Sequence, residues 1–209
     1  MTQERNSLYS TLPNTIIGFH GCDISTFRDV IERQKEMKPS KNDYDWLGNG
    51  IYFWKHNLER AWQWANEAAK RKGSKIKTPA VIGAVIDLGM CLNLLDSENI
   101  KMLKLQYDVF KLKLDIAGLS IPMNKNVGSN TDLLLRNLDC AVIESLHSQR
   151  SEDNQRPFDS VRGIFTEGEA IYPSSGFKEK THIQLCIRNP NCIKGYFAPK
   201  SSDSNWSVP

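Results

Sequence analysis

No apolar run in this chain approaches the ~20 residues that a membrane-spanning helix needs. The opening residues, MTQERNSLYS, lack the apolar stretch of a secretory signal. Contact with a membrane is therefore not expected, and the expected setting is the cytoplasm, or the cytoplasm of a host or target cell into which the protein is delivered. Cysteine is scarce: Cys22, Cys91, Cys140, Cys186 and Cys192 are an odd number, and no two stand at C-x₂-C spacing. That argues against a disulfide framework and against a metal site of the zinc type. A dominant charge is missing too. With 27 Lys and Arg against 24 Asp and Glu, the net charge of +3 permits contact with nucleic acid or an acidic surface and argues for neither. Repeats and low-complexity tracts are also absent. What remains is an ordinary globular composition, 40% hydrophobic over 209 residues. One domain over 1–209 is expected, with 1–12 and 199–209 as loosely ordered tails.

The pattern of apolar residues gives short strands alternating with helices. IIGFHG (16–21) reads as a first strand, and Ser25 as the cap of a short helix with Phe27, Val30 and Ile31 on one face. Asn57 is placed to cap a helix running to Gly73, with Leu58, Ala61, Trp62, Ala65 and Ala69 in one stripe. AVIGAVIDL (80–88) is an apolar strand, 97–119 is helical in pattern, and CAVI (140–143) reads as the start of another strand. A polar loop is expected over 147–159, then strands at VRGIF (161–165), HIQLCI (182–187) and near 192–197. Strands with inserted helices, rather than a regular βαβ repeat, argue for an α+β domain.

The stretch WLGNGIYFW (46–54) stands out. Gly48-Asn49-Gly50 suits a turn, because glycine reaches positive φ freely and asparagine tolerates it. Ile51-Tyr52-Phe53-Trp54, β-branched and aromatic throughout, suits a short buried strand. By itself Tyr52 in such a run is core packing, and a lone His20 is a satisfied histidine.

Taken together, GFHGCD (18–23), GNGIYFW (48–54) and the alanine-rich helix RAWQWA (60–65) resemble the NAD-binding half of the poly(ADP-ribose) polymerase-like ADP-ribosyltransferases, the His-Tyr class related to diphtheria toxin. The spacing of 32 positions from His20 to Tyr52 suits that family. AVIGAVIDLGMCLNL (80–94) and THIQLCIRNPNCIKGYF (181–197) extend the resemblance more weakly over most of the chain. It implies two small packed antiparallel-rich β-sheets with a cleft for NAD and flanking helices. It also implies that NAD is the co-substrate.

Each implied role has a physical basis. His20 can donate one ring proton to a ribose hydroxyl while its other nitrogen is fixed by the protein. Gly21 lets a carboxamide reach the backbone, on the floor of a cleft between His20 and Tyr52. Tyr52 offers a flat face on which the nicotinamide ring stacks. Trp64 matches a second aromatic wall, with Trp62 as its competitor and core packing as the alternative for both. Arg60 stands where the family carries a small hydroxylated residue.

The third catalytic position departs from the pattern. Alignment of QLCIRNPNCI (184–193) with the family's late strand puts Gln184 where the polymerising members have glutamate. Glutamine keeps hydrogen-bonding reach to the ribose and loses the charge that steadies an oxocarbenium-like cation. The resemblance then implies transfer of a single ADP-ribose onto a macromolecular acceptor, protein or nucleic acid, by a toxin, effector or phage-defence component with a neutralising antitoxin or other partner protein. The alternatives are an inactive NAD- or ADP-ribose-binding module and an NAD glycohydrolase. Glu167 and Glu169, in TEGEA, are either the missing carboxylate or solvated loop residues, and Glu144 reads as structural. KRKGSKIK (70–77) is either a phosphate-binding patch or a solvated helix end.

Overall fold

The computed structural model describes residues 15–127 and 132–207. The expected tail at 1–12 and the last two residues lie outside that range, while 201–207 form neither helix nor strand and are exposed. The chain is an α+β domain built on a seven-stranded sheet. In chain order the elements are β1 (Ile16–Asp23), a short helix α1 (Ile24–Phe27) that continues as a π-turn to Glu32, β2 (Ile51–Lys55), α2 (Leu58–Ala69), β3 (Pro79–Ile86) and β4 (Cys91–Asn93). There follow α3 (Ser97–Ala117), a small ribbon of β5 (Asn124–Lys125) and β6 (Leu135–Arg136), α4 (Asn137–Glu152), β7 (Ser160–Phe165), β8 (His182–Ile187) and β9 (Ile193–Phe197). The strand order is β4-β7-β8-β2-β1-β3-β9, antiparallel except for the β4–β7 pair.

Where two packed sheets were expected, hydrogen bonding gives one sheet plus the ribbon, because β2 pairs with both β1 and β8. The two halves are joined thinly, however. β1 pairs with β3 along its whole length, from Ile16–Ile86 to Asp23–Pro79, but with β2 only at Gly18–Lys55 and Phe19–Trp54.

Both faces of the sheet are covered, which is why IYFW carries no polar alternation. Phe53, Ile82, Ile86, Leu185 and Ile187 pack on one face with Val30 and Met37. On the other, Leu47, Val161, Phe165 and Cys186 pack with Ile143 and Leu146 of α4. Trp54, Ala61 and Val81 form a third cluster under α2. All five cysteines are free. Among the described residues, no helix is long and apolar enough to cross a membrane.

Four local expectations are corrected. CAVI (140–143) lies inside α4, which runs on to Glu152, so the loop expected over 147–159 shrinks to its second half. Cys140, Val142, Ile143, Leu146 and His147 form the helix's buried side, and a four-residue apolar run does not distinguish that from a strand. The cap of α1 is Asp23, not Ser25: the Asp23 carboxylate accepts from the Ser25 amide at 2.9 Å and also from Lys77 and Thr78. Helix α2 begins at the expected cap, with Asn57 accepting from the Arg60 amide, but it ends at Ala69 rather than Gly73. Its buried side is Arg60, Ala61, Ala65 and Ala68, which leaves Trp62 exposed.

Candidate functional site

The site begins where β1 and β2 part. Beyond Phe19 the edge of β1 facing β2 has no strand partner among the described residues, and the imidazole of His20 spans the opening. Its Nδ1 lies 2.7 Å from the main-chain carbonyl of Tyr52. A carbonyl only accepts, so Nδ1 carries the proton. Burial lowers the His20 pKa against the opposing effect of that hydrogen bond, which keeps the ring neutral and leaves Nε2 an acceptor. The direction expected from sequence is thus reversed: a ribose hydroxyl would donate to His20, not accept from it.

Tyr52 is fixed by the turn that precedes it. Its hydroxyl donates to the Gly48 carbonyl at 2.6 Å and accepts from the Leu47 amide at 2.8 Å. Burial raises the phenol pKa, so the hydroxyl keeps its proton. The turn is in turn clamped by Glu144 of α4, whose carboxylate accepts from the Asn49 amide at 2.8 Å and pairs with Arg188. Gly48 has a φ of 78°, and a Cβ there would run into that carboxylate. Glu144 is structural, as read from sequence, and what it holds is the Gly-Asn-Gly turn.

Gly21 has a different use from the one expected. A Cβ on it would sit 2.5 Å from the Ala61 carbonyl oxygen and 3.1 Å from Ala65 Cβ and Trp64 Cε3. The missing side chain therefore lets α2 close onto β1, and Gly21 is not among the residues lining the cavity described next. That packing positions Trp64, whose ring centroid lies 5.5 Å from that of Trp54. Trp64 faces the cavity and Trp62 does not.

A cavity of about 660 Å³ opens between these elements, inside the ~300–1,000 Å³ range of small-molecule sites. His20, Tyr52, Trp54, Trp64 and Gln184 all line it. Gln184 sits in the middle of β8, opposite Trp54 on one side and Gly163 on the other. Sequence reasoning also left two charged groups undecided that the fold places here. Arg60 is 5% exposed and Glu167 8%, both line the cavity, and Arg60 Nη2 lies 3.5 Å from Glu167 Oε1. The Arg60 guanidinium is also 5.9 Å from the Trp54 ring. Glu169, by contrast, is exposed. Lys180 pairs with Glu67 of α2 at 2.8 Å, and Asp132 takes Lys178 at 2.8 Å and the Gly168 amide at 2.9 Å, so the segment between β7 and β8 is tied to the cavity wall. The residues of KRKGSKIK that carry charge are all exposed.

No protein-family model matches the chain. It is similar to an uncharacterized protein of Methanocaldococcus jannaschii, 27% identical over 198 aligned positions that cover 84% of this chain and 83% of that one.

Proposed function

We propose that the cavity holds NAD⁺ in an ADP-ribosyltransferase-like fold, and that the protein moves one ADP-ribose from NAD⁺ onto a macromolecular acceptor, protein or nucleic acid, with release of nicotinamide. The observation that carries this reading is the meeting, around one cavity, of His20, Tyr52, Trp64 and Gln184, residues drawn from four separate elements. Tyr52 and Trp64 supply aromatic surface for a nicotinamide ring, which in NAD⁺ is cationic and attracted to π faces. His20 Nε2 and the Gln184 amide supply neutral hydrogen-bonding partners for ribose hydroxyls.

The uncharged Gln184 favours one competing reading, a module that binds NAD⁺ or ADP-ribose without turnover. Incubation with labelled NAD⁺ and a whole-cell lysate, followed by separate protease and nuclease digestion, separates the possibilities. Label retained on one polymer class supports transfer and identifies the acceptor. Free ADP-ribose alone indicates a glycohydrolase, and unchanged NAD⁺ indicates the binding module.

A further inference from the structure

Glu167 and Arg60 are 107 positions apart in the chain, yet the fold buries them against each other in the cavity wall. Such burial is costly for both charges unless each is paired and hydrogen-bonded. Arg60 is poorly provided for: its Nε and Nη1 are buried and have no hydrogen-bond partner among the described residues. Its contact with Glu167 is its one ion pair among the described residues, and that contact engages Oε1 of the carboxylate. His182, whose Nδ1 donates to the Lys180 carbonyl at 2.6 Å, flanks the same oxygen at 3.5 Å. No described residue donates to Oε2 of Glu167, on a residue that lines the cavity.

The other carboxylates around the cavity are already committed. Asp132 is locked by Lys178 and the Gly168 amide, and these partners hold its carboxyl below the usual range against a smaller effect of burial. Glu67 is paired with Lys180 at the exposed edge, and Asp45 accepts from the Asn42 amide at 3.0 Å. Gln184, an amide, cannot take up a proton at all.

Building on the ADP-ribosyl transfer reading, we propose that Glu167, held through Oε1 by Arg60, is the carboxylate of this site and accepts the proton of the nucleophile that attacks the ribose. In that step the C1′–N bond to nicotinamide breaks, and its electron pair neutralises the nicotinamide ring. An O–H or N–H nucleophile forms the new bond to C1′, and its proton passes to Oε2, leaving a neutral carboxylic acid. Burial raises the Glu167 pKa, which suits a base better than an ordinary surface carboxylate does. The charged and titratable groups facing it are Arg60 on α2, Lys180 just before β8, His182 at the start of β8, and Asp132 before β6.

The test is nicotinamide release from NAD⁺, with water and then methanol as nucleophile, followed against pH for wild type, Glu167→Gln, Arg60→Met and Arg60→Lys. Binding of a non-hydrolysable NAD⁺ analogue is measured alongside. Wild-type turnover should rise with pH through the Glu167 pKa, because only the carboxylate accepts a proton. Glu167→Gln should lower turnover about 10²–10⁴-fold, abolish that acid limb and leave analogue binding intact. Arg60→Met should move the limb to higher pH, since loss of the cation raises the Glu167 pKa, and Arg60→Lys should move it back towards wild type.

A Glu167→Gln variant that keeps its rate and its acid limb overturns the assignment while leaving the NAD⁺ reading in place. A wild type that binds the analogue and never cleaves NAD⁺ does the same. A wild type that neither binds nor cleaves removes both. Should Glu167→Gln lose analogue binding as well, the acid limb decides: its displacement in Arg60→Met supports the assignment, and its immobility overturns it.

Discussion

The imidazole of His20 bonds the main-chain carbonyl of Tyr52 at 2.7 Å across the point where β1 and β2 separate. The two residues named by the motif are thus coupled through backbone rather than side chain to side chain. By strand alternation His20 belongs with Phe53, whose ring centroid is 5.9 Å away, whereas the Tyr52 side chain packs with Leu47 and Cys186 on the other face. Both still line the cavity, because His20 fills the split between the strands. Its protonation state therefore follows from the fold.

That gives the first prediction. His147 and His182 are held down to about 4 by burial, and His20 is lowered for the same reason, whereas an unfolded histidine titrates near 6.5. As pH falls below 6.5 the unfolded chain takes up protons that the native state refuses, so stability is lost towards pH 4. By linkage this amounts to roughly 2 kcal/mol for each of His147 and His182 by about pH 5. Glu167, whose raised pKa lets the native state bind a proton first, opposes the loss in part. Urea denaturation across this range should show the decline, and His147→Gln should flatten it. A midpoint independent of pH between neutral and about pH 5 would contradict the buried neutral histidines.

Gly21→Ala should destabilise the fold. The added methyl meets the Ala61 carbonyl oxygen at 2.5 Å, a backbone atom that cannot turn aside. Overpacking of this kind typically costs about 1–3 kcal/mol. Chemical denaturation measures it directly, and an unchanged midpoint would mean that α2 lies further from β1 than found here.

Tyr52→Phe and Tyr52→Ala should separate two roles. Phenylalanine keeps the flat face but leaves the Leu47 amide unpaired and the Gly48 carbonyl with the weaker Cys186 thiol contact at 3.5 Å, so stability should drop by about 1–2 kcal/mol with NAD⁺ affinity nearly retained. Alanine should also weaken NAD⁺ binding by about 1–3 kcal/mol through lost stacking and burial. Calorimetric titration beside thermal melts reads both quantities. Equal affinity in wild type and a folded Tyr52→Ala variant would confine Tyr52 to the core.

Under the proposed transfer, substitutions at Gln184 test how much charge the step needs. In an active transferase, Gln184→Ala should lower nicotinamide release by about 10²-fold with little change in ground-state affinity, as expected of a contact made chiefly in the transition state. Gln184→Glu should keep or raise the rate, because it adds charge beside the developing cation at nearly constant volume. Active wild type and equally active Gln184→Ala would shift attention to Glu167 alone.

The sequence by itself determined the elements whose apolar residues form runs of the right length: β1, β2, β3, β7, β8, and α2 with its Asn57 cap. These are set by local steric preference and by burial on a fixed period, both written in neighbouring residues. It also singled out His20, Tyr52, Trp64 and Gln184, which the fold brings to the lining of one cavity. It misread CAVI, because four buried residues look alike in a strand and in α4. Only the tertiary structure decided that Gly21 makes room for α2, that His20 presents an acceptor, and that Glu144 serves the turn. Above all it placed Arg60 beside Glu167 in the cavity wall. That contact depends on strand order and on the packing of α2 against the sheet, and burial, which sets the energy of a charge, is a property of the assembled fold and not of the residue.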